Sequence, residues 1–175
     1  MMRPLRGTPA GRAALEKAAG LYLNVADQAE GTALGVYTTR LGGNSLAKVG
    51  RDAEAQAVLE RAFVSPSATD DDRLETLSWL GLLETGLFWE SSGLADPRRK
   101  TSRPVELPLR EFAQALGFSV GWSDNSKIAS IEKGSLRRSL CVKPTRGVQT
   151  EGKITEGHVY VRPSVIASIM AEHWR

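Results

Sequence analysis

The sequence holds a single cysteine, Cys141, and two histidines, His158 and His173. A lone cysteine closes no intrachain disulfide. With no CxxC pair and no clustered His/Cys set, a structural zinc is not expected. That cysteine usage points to a reducing, cytoplasmic compartment. Long apolar runs are also missing. Nothing reaches the roughly 18 residues that a membrane helix needs. The opening stretch MMRPLRGTPAGRAALEKAAG is interrupted by Glu16 and Lys17, so it is not read as a secretory leader. The common catalytic signatures are absent too: no P-loop, no GxGxxG after a strand, no HExxH and no GxSxG. RLGGNSLAKVG is glycine-rich but lacks the Gly-Lys-Ser/Thr ending that cradles phosphate. The expectation is a non-enzyme without metal or cofactor, so function must be sought as binding.

What is present suits a soluble globular chain: 41% hydrophobic and 25% charged residues over 175 positions. The net charge is only +3, but it is unevenly spread. Residues 1–95 carry 9 Lys/Arg against 12 Asp/Glu, and residues 96–175 carry 14 against 8. The basic C-terminal part points to a polyanionic partner.

Helical spacing dominates the first half. Thr8-Pro9 reads as a helix start, and Leu15, Ala18, Tyr22, Val25 and Ala29 follow at three- and four-residue steps. GTALGVYTTRLGGN reads either as a helix stopped at Gly42-Gly43 or as a loop. A further helix is expected from about Ser45 to Val64. SPSATDDD breaks the pattern, with Ser67 or Thr69 as cap and three aspartates at the positive end of the next helix. Leu74, Leu77, Leu80, Leu83, Leu87 and Phe88 then form a broad apolar stripe, with Trp79 and Trp89 off its centre.

After the basic, proline-bounded stretch ADPRRKTSRP the texture changes. RPVELP fits a brief strand. PLREFAQALGF fits a short helix stopped at Gly117. SDNSKIASIEKGSLRRSL, from Ser123 to Leu140, carries apolar residues at helical spacing and is expected to form a helix from about Asn125 to Leu140. Gly134 in its middle costs about 1 kcal/mol relative to alanine. CVKPTRGVQTEGKITEGHVYVRP then reads as a glycine-bounded hairpin, and Pro163-Ser164 starts a last helix.

The order is helix, short strand, short helix, turn, helix, hairpin, helix. That is the order of a winged helix-turn-helix. The expected fold class is therefore mainly α with a small antiparallel β-hairpin. Residues 67–175 would be the winged helix-turn-helix domain, and residues 1–66 a helical region for dimerisation or partner contact. In such a domain the second helix of the pair lies in the major groove. Ser123, Asn125, Ser126, Lys127 and Ser130 would face the bases, with Lys133 beside them. Arg137 and Arg138 would either complement the helix dipole or clamp phosphate. Lys143, Arg146 and Lys153 would sit on the wing. Arg98, Arg99, Lys100 and Arg103 would form a secondary basic arm, or else a plain charged loop. Trp122, beside the turn, is the tryptophan best placed for a nucleic-acid contact.

PLREFAQALGFSVGWSDNSKIASIEKGSLRRSLCVKP resembles the winged-helix part of plasmid replication initiators of the TrfA type. The residues that carry the resemblance are Phe112, Leu116, Gly117, Ser123, Ile131, Leu136 and Arg137. It covers about 50 residues, and residues 1–95 show no second wing. It implies recognition of repeated origin sites. The functional expectation is a sequence-specific double-stranded DNA-binding protein of plasmid or phage type, acting in replication or transcription, with no membrane contact. Two alternatives stay open. One is a mainly helical subunit of a nucleoprotein complex that holds RNA or single strands nonspecifically. The other is a protein-only adaptor.

Overall fold

The computed structural model describes residues 8–85, 104–123, 125–142 and 150–173. The chain divides into two units, Met1–Val105 and Glu106–Arg175. This differs from the expected boundary at 66/67. The helix that opens at Asp70 packs on the helices before it and so belongs to the first unit.

The first unit is built from α1 (Pro9–Gln28), α2 (Ala33–Val49), α3 (Asp52–Val64) and α4 (Asp70–Thr85). Thr8 caps α1: its hydroxyl accepts from the Gly11 amide at 3.0 Å, and Pro9 follows at the first helical position. Thr32 caps α2 in the same way, accepting from the Gly35 amide at 3.1 Å. Gly42-Gly43 does not stop α2. A Cβ on Gly42 would lie 2.7 Å from a Leu23 methyl, and one on Gly43 would lie 2.8 Å from Leu59. These glycines are the points where α1 and α3 approach α2. The helix stops later, at Gly50, whose φ of 88° is left-handed. The run expected as one helix from Ser45 to Val64 is therefore split between α2 and α3. Val36, Leu46, Leu59, Phe63, Leu77 and Leu80 are among the buried core.

Arg40 ties α2 to the start of α4. Its side chain is 6% exposed and meets Asp72 at 2.9 Å and Glu75 at 3.0 Å. Asp72 also serves the cap. Its carboxylate accepts from the Thr69 amide (3.0 Å) and hydroxyl (2.7 Å), and its amide donates to the Thr69 hydroxyl. This is a capping box with Asp in place of Glu. Burial pushes the Asp72 carboxyl up. The Thr69 hydrogen bonds, together with the Arg40 and Arg73 charges, outweigh burial and hold it below its ordinary value.

The second unit holds β1 (Leu107–Pro108), α5 (Leu109–Ala115), β2 (Ser119–Ser123), β3 (Ile128–Lys133), β4 (Leu136–Cys141), β5 (Gly152–Thr155), β6 (His158–Val161) and α6 (Pro163–His173). They form two antiparallel three-stranded sheets, ordered β1-β6-β5 and β2-β3-β4. The short helix ending at Gly117 (φ 80°) and the last helix from Pro163 form as expected.

The helix expected from Asn125 to Leu140 does not form. The segment is the turn after β2, then strands β3 and β4 joined by Gly134-Ser135. Gly134 sits at φ 58°, suited to the first position of a two-residue hairpin turn. Register pairs Lys133 with Leu136, Ile131 with Arg138 and Ala129 with Leu140. Ala129, Ile131 and Leu140 are at most 1% exposed, so period-two alternation prevails over three-residue spacing. The expected long-tipped hairpin becomes β5-β6, closed by Glu156-Gly157 with both φ values positive. No helix-turn-helix exists among the described residues of this unit. The chain is a mixture of helices and small antiparallel sheets.

Two outcomes test this packing. Gly43→Ala is expected to destabilise by about 1–3 kcal/mol despite better helix propensity, because buried Leu59 must move. Gly81→Ala in α4, which meets nothing within 4 Å, is expected to stabilise by about 0.5–1 kcal/mol; urea melts measure both. Asp72→Ala is expected to cost about 2–4 kcal/mol, since Arg40 is left buried. Glu75→Ala, at a half-exposed carboxylate, is expected to cost under about 1 kcal/mol. The Asp72 carboxyl is depressed on folding. Its stabilisation is therefore complete above the ordinary value of 3.8 and is lost as pH falls through the lower folded value. Melts of wild type and Asp72→Ala should converge in acid.

Candidate nucleic-acid interface

The residues expected to touch nucleic acid separate into two groups in the structure. The first gathers at the β2-β3 turn. Trp122 and Ser123 end β2, Asn125, Ser126 and Lys127 form the turn, and Ile128 opens β3. Ser123, Asn125 and Ser126 are exposed. The Ser126 hydroxyl donates to the Ser123 hydroxyl at 2.7 Å, which tightens the turn. Trp122 shares a sheet face with Ala129 and Leu140, both buried. It lies where that face reaches the sheet's end, and it keeps 38% of its surface exposed. The Lys127 ammonium stands 6.0 Å from the centre of its ring. Lys127 itself adopts φ 52°, a left-handed conformation that glycine or asparagine would hold at less cost.

The second group is turned to structural use. Lys133 donates to the Leu116 carbonyl at 2.7 Å, at the end of α5, and lies 5.4 Å from the Phe118 ring centre. Arg138 projects from β4 onto the same face as Ile131. It donates to Ser168 Oγ at 2.6 Å, to Glu172 at 2.7 Å and to Glu151 at 2.8 Å. One guanidinium thus joins β4 to α6 and to the residue before β5. Lys153 is ion-paired with Glu106 across the β1-β6-β5 sheet. Arg137, 74% exposed, faces the opposite side of the sheet from Arg138 and pairs with Glu132 at 2.9 Å. Ser130, half-buried, lies on that same outer face.

Lys143, Arg146 and the arm Arg98, Arg99, Lys100 and Arg103 lie outside the described residues, as does Trp89. The seven residues that carry the resemblance to replication initiators fall on α5, its glycine stop, and β2 to β4, instead of on a pair of helices. Among the described residues no group of three His, Cys, Asp or Glu side chains is placed to hold a metal, and no helix is long and apolar enough to cross a membrane. Comparison with family models, curated proteins and solved structures gives no match.

The two adjacent arginines are therefore expected to behave differently. Arg138→Ala removes three partners from a side chain that is 18% exposed, and should cost about 1–3 kcal/mol in thermal or urea melts. Arg137→Ala should stay within about 0.5 kcal/mol.

Proposed function

We propose that this chain binds nucleic acid through its second unit, and that it grips single strands at the β2-β3 turn by stacking. The observation that carries this reading is the pairing of an exposed Trp122 with Lys127 on a turn of small polar residues. An indole with an open face can stack on any base, and a neighbouring ammonium can meet the phosphate that follows. Ser123, Asn125 and Ser126 add short donors and acceptors that let a backbone come close. The left-handed Lys127 supports the same reading. A turn that would fold more readily with glycine carries a cation instead, at a conformational cost of about 1 kcal/mol. The excess of Lys/Arg over residues 96–175 supplies the long-range attraction.

The segment expected as the recognition helix, from about Asn125 to Leu140, forms strands β3 and β4, so duplex reading would have to use another element. A hairpin can enter a groove, so duplex binding is the competing outcome. A role in plasmid or phage replication or transcription rests on the resemblance alone.

The decisive measurement is fluorescence anisotropy with a labelled single strand, an RNA and a duplex of the same sequence at two salt concentrations. Single strands are expected to bind tighter than duplex, with affinity falling as salt rises. Trp122→Ala should weaken single-strand binding about 10-fold, in line with about 1–3 kcal/mol per stacked base. Lys127→Gly should raise stability by up to about 1 kcal/mol while weakening binding and flattening its salt dependence. Tighter duplex binding, or full affinity in Trp122→Ala, would overturn the reading.

A further inference from the structure

The C-terminal ends of α1 and α3 and the first turn of α2 enclose a cavity of about 420 Å³ in the first unit. That volume lies within the range of small-molecule sites, about 300–1,000 Å³. Small residues make the hollow. Gly35 comes so close to the end of α1 that a Cβ there would lie 2.3 Å from the Ala29 carbonyl oxygen. Ala26, Val36 and Ala62, all buried, give the cavity an apolar floor. Beside it the Ser67 hydroxyl donates to the Gly31 carbonyl at 2.5 Å and ties the connection after α3 to the α1-α2 turn.

The electrostatics of this cavity are one-sided. A helix leaves its last four carbonyls without intrahelical partners, and together they carry about half a negative charge. On α1 the Val25 carbonyl is met by the Ala29 amide, and on α3 the Phe63 carbonyl is met by Arg73. Of the rest, those of Ala26, Asp27, Arg61, Ala62 and Val64 belong to residues that line the cavity. Two negative helix ends thus converge there. The one positive end, of α2, already has its cap in the Thr32 hydroxyl. Among the charged side chains of the lining, Asp27 and Arg61 pair with each other at 3.3 Å, which leaves the Glu30 carboxylate. Glu30 is exposed in the α1-α2 turn and makes no ion pair among the described residues.

We propose that this cavity binds a small organic cation, a primary ammonium carried on a short apolar body. The body lies on Ala26, Val36 and Ala62. The ammonium, with three donors and no acceptor, stands at the rim among Glu30 and the carbonyl ends of α1 and α3. A neutral body of the same shape keeps only the apolar contact. An anion would meet an unpaired carboxylate and two negative helix ends. A metal ion would need a denser set of ligands: among the described residues no three His, Cys, Asp or Glu side chains are grouped to hold one.

Titration of the full chain, followed by amide NMR shifts, tests this with three probes of similar shape: 2-phenylethylamine, 2-phenylethanol and phenylacetate. The amine is expected to move the Gly31 and Gly35 amides with a dissociation constant below about 1 mM. The alcohol and the carboxylate should bind at least about 10-fold more weakly. Glu30→Gln should weaken the amine at least about 3-fold with the melting temperature near wild type, because the side chain is exposed. Val64 lines the cavity and is 38% exposed. Val64→Lys sets a resident cation at the C-terminal end of α3, where the dipole favours it, and should fold as wild type while abolishing amine binding. Glu16→Gln, at an exposed carboxylate of α1 away from the cavity, should bind as wild type. Equal affinity for the three probes, full amine affinity in Glu30→Gln, loss of binding in Glu16→Gln, or no shift up to about 10 mM amine would overturn the proposal.

Discussion

In each unit a cation drawn inward has to be met by oxygen, and the elements around it are arranged to do so. Arg40 is nearly buried in α2, and the start of α4 comes to it with Asp72, Glu75 and the Asp72 carbonyl at 3.3 Å. Arg138 points from β4 to the core side, and α6 and the residue before β5 supply two carboxylates and a hydroxyl. Lys133 does the same with the end of α5. A guanidinium left without such partners would carry a desolvation penalty of several kcal/mol. The pairing therefore fixes which surfaces of α4, α5 and α6 face inward. Specificity of docking follows from the geometry of these pairs, while burial of Phe63, Leu80, Ile131, Leu140 and Ile166 supplies most of the driving force.

This constraint also sorts the cations by use. Positive charge in the C-terminal part is a fact of composition, but a cation already held by two carboxylates is a poor phosphate ligand. Breaking its pairs would leave the acids unpaired. Arg138 is held in this way by Glu151 and Glu172, whereas Lys153 pairs with Glu106 alone and Lys133 donates to the Leu116 carbonyl. The β2-β3 turn remains, where the Lys127 ammonium stands 6.0 Å from the centre of the Trp122 ring. A stacking contact needs little apparatus: one open ring, a nearby cation and a turn that projects.

Much of the first unit was legible. Thr8-Pro9, the cap at Thr69 and the buried stripe of Leu77, Leu80 and Leu83 follow from spacing and cap chemistry, while Leu74, expected in the same stripe, is exposed. Gly42-Gly43 was not legible as a packing point. A glycine that breaks a helix and one that admits a neighbouring helix look alike in sequence, and only Leu23 and Leu59 distinguish them. In the second unit, the glycine stop of α5 and the proline start of α6 were legible for the same local reason. The segment from Asn125 to Leu140 was not. Ile128 and Ile131 fit a helical face, while Ala129, Ile131 and Leu140 fit a strand face. The signal that favoured the strand was Gly134, costly in mid-helix and suited to a turn.

Residue order alone is enough where local chemistry is decisive: helix caps, glycine stops, the absence of long apolar runs and the basic bias of the C-terminal part. Tertiary structure alone decided that β3 and β4 pair, because antiparallel registry joins residues whose periodicity is ambiguous until a partner strand is present. It alone decided that Arg138 and Lys133 turn inward while Arg137 turns out. A strand's two faces differ only in what packs against them, and α5 and α6 carry the oxygens that accept those charges.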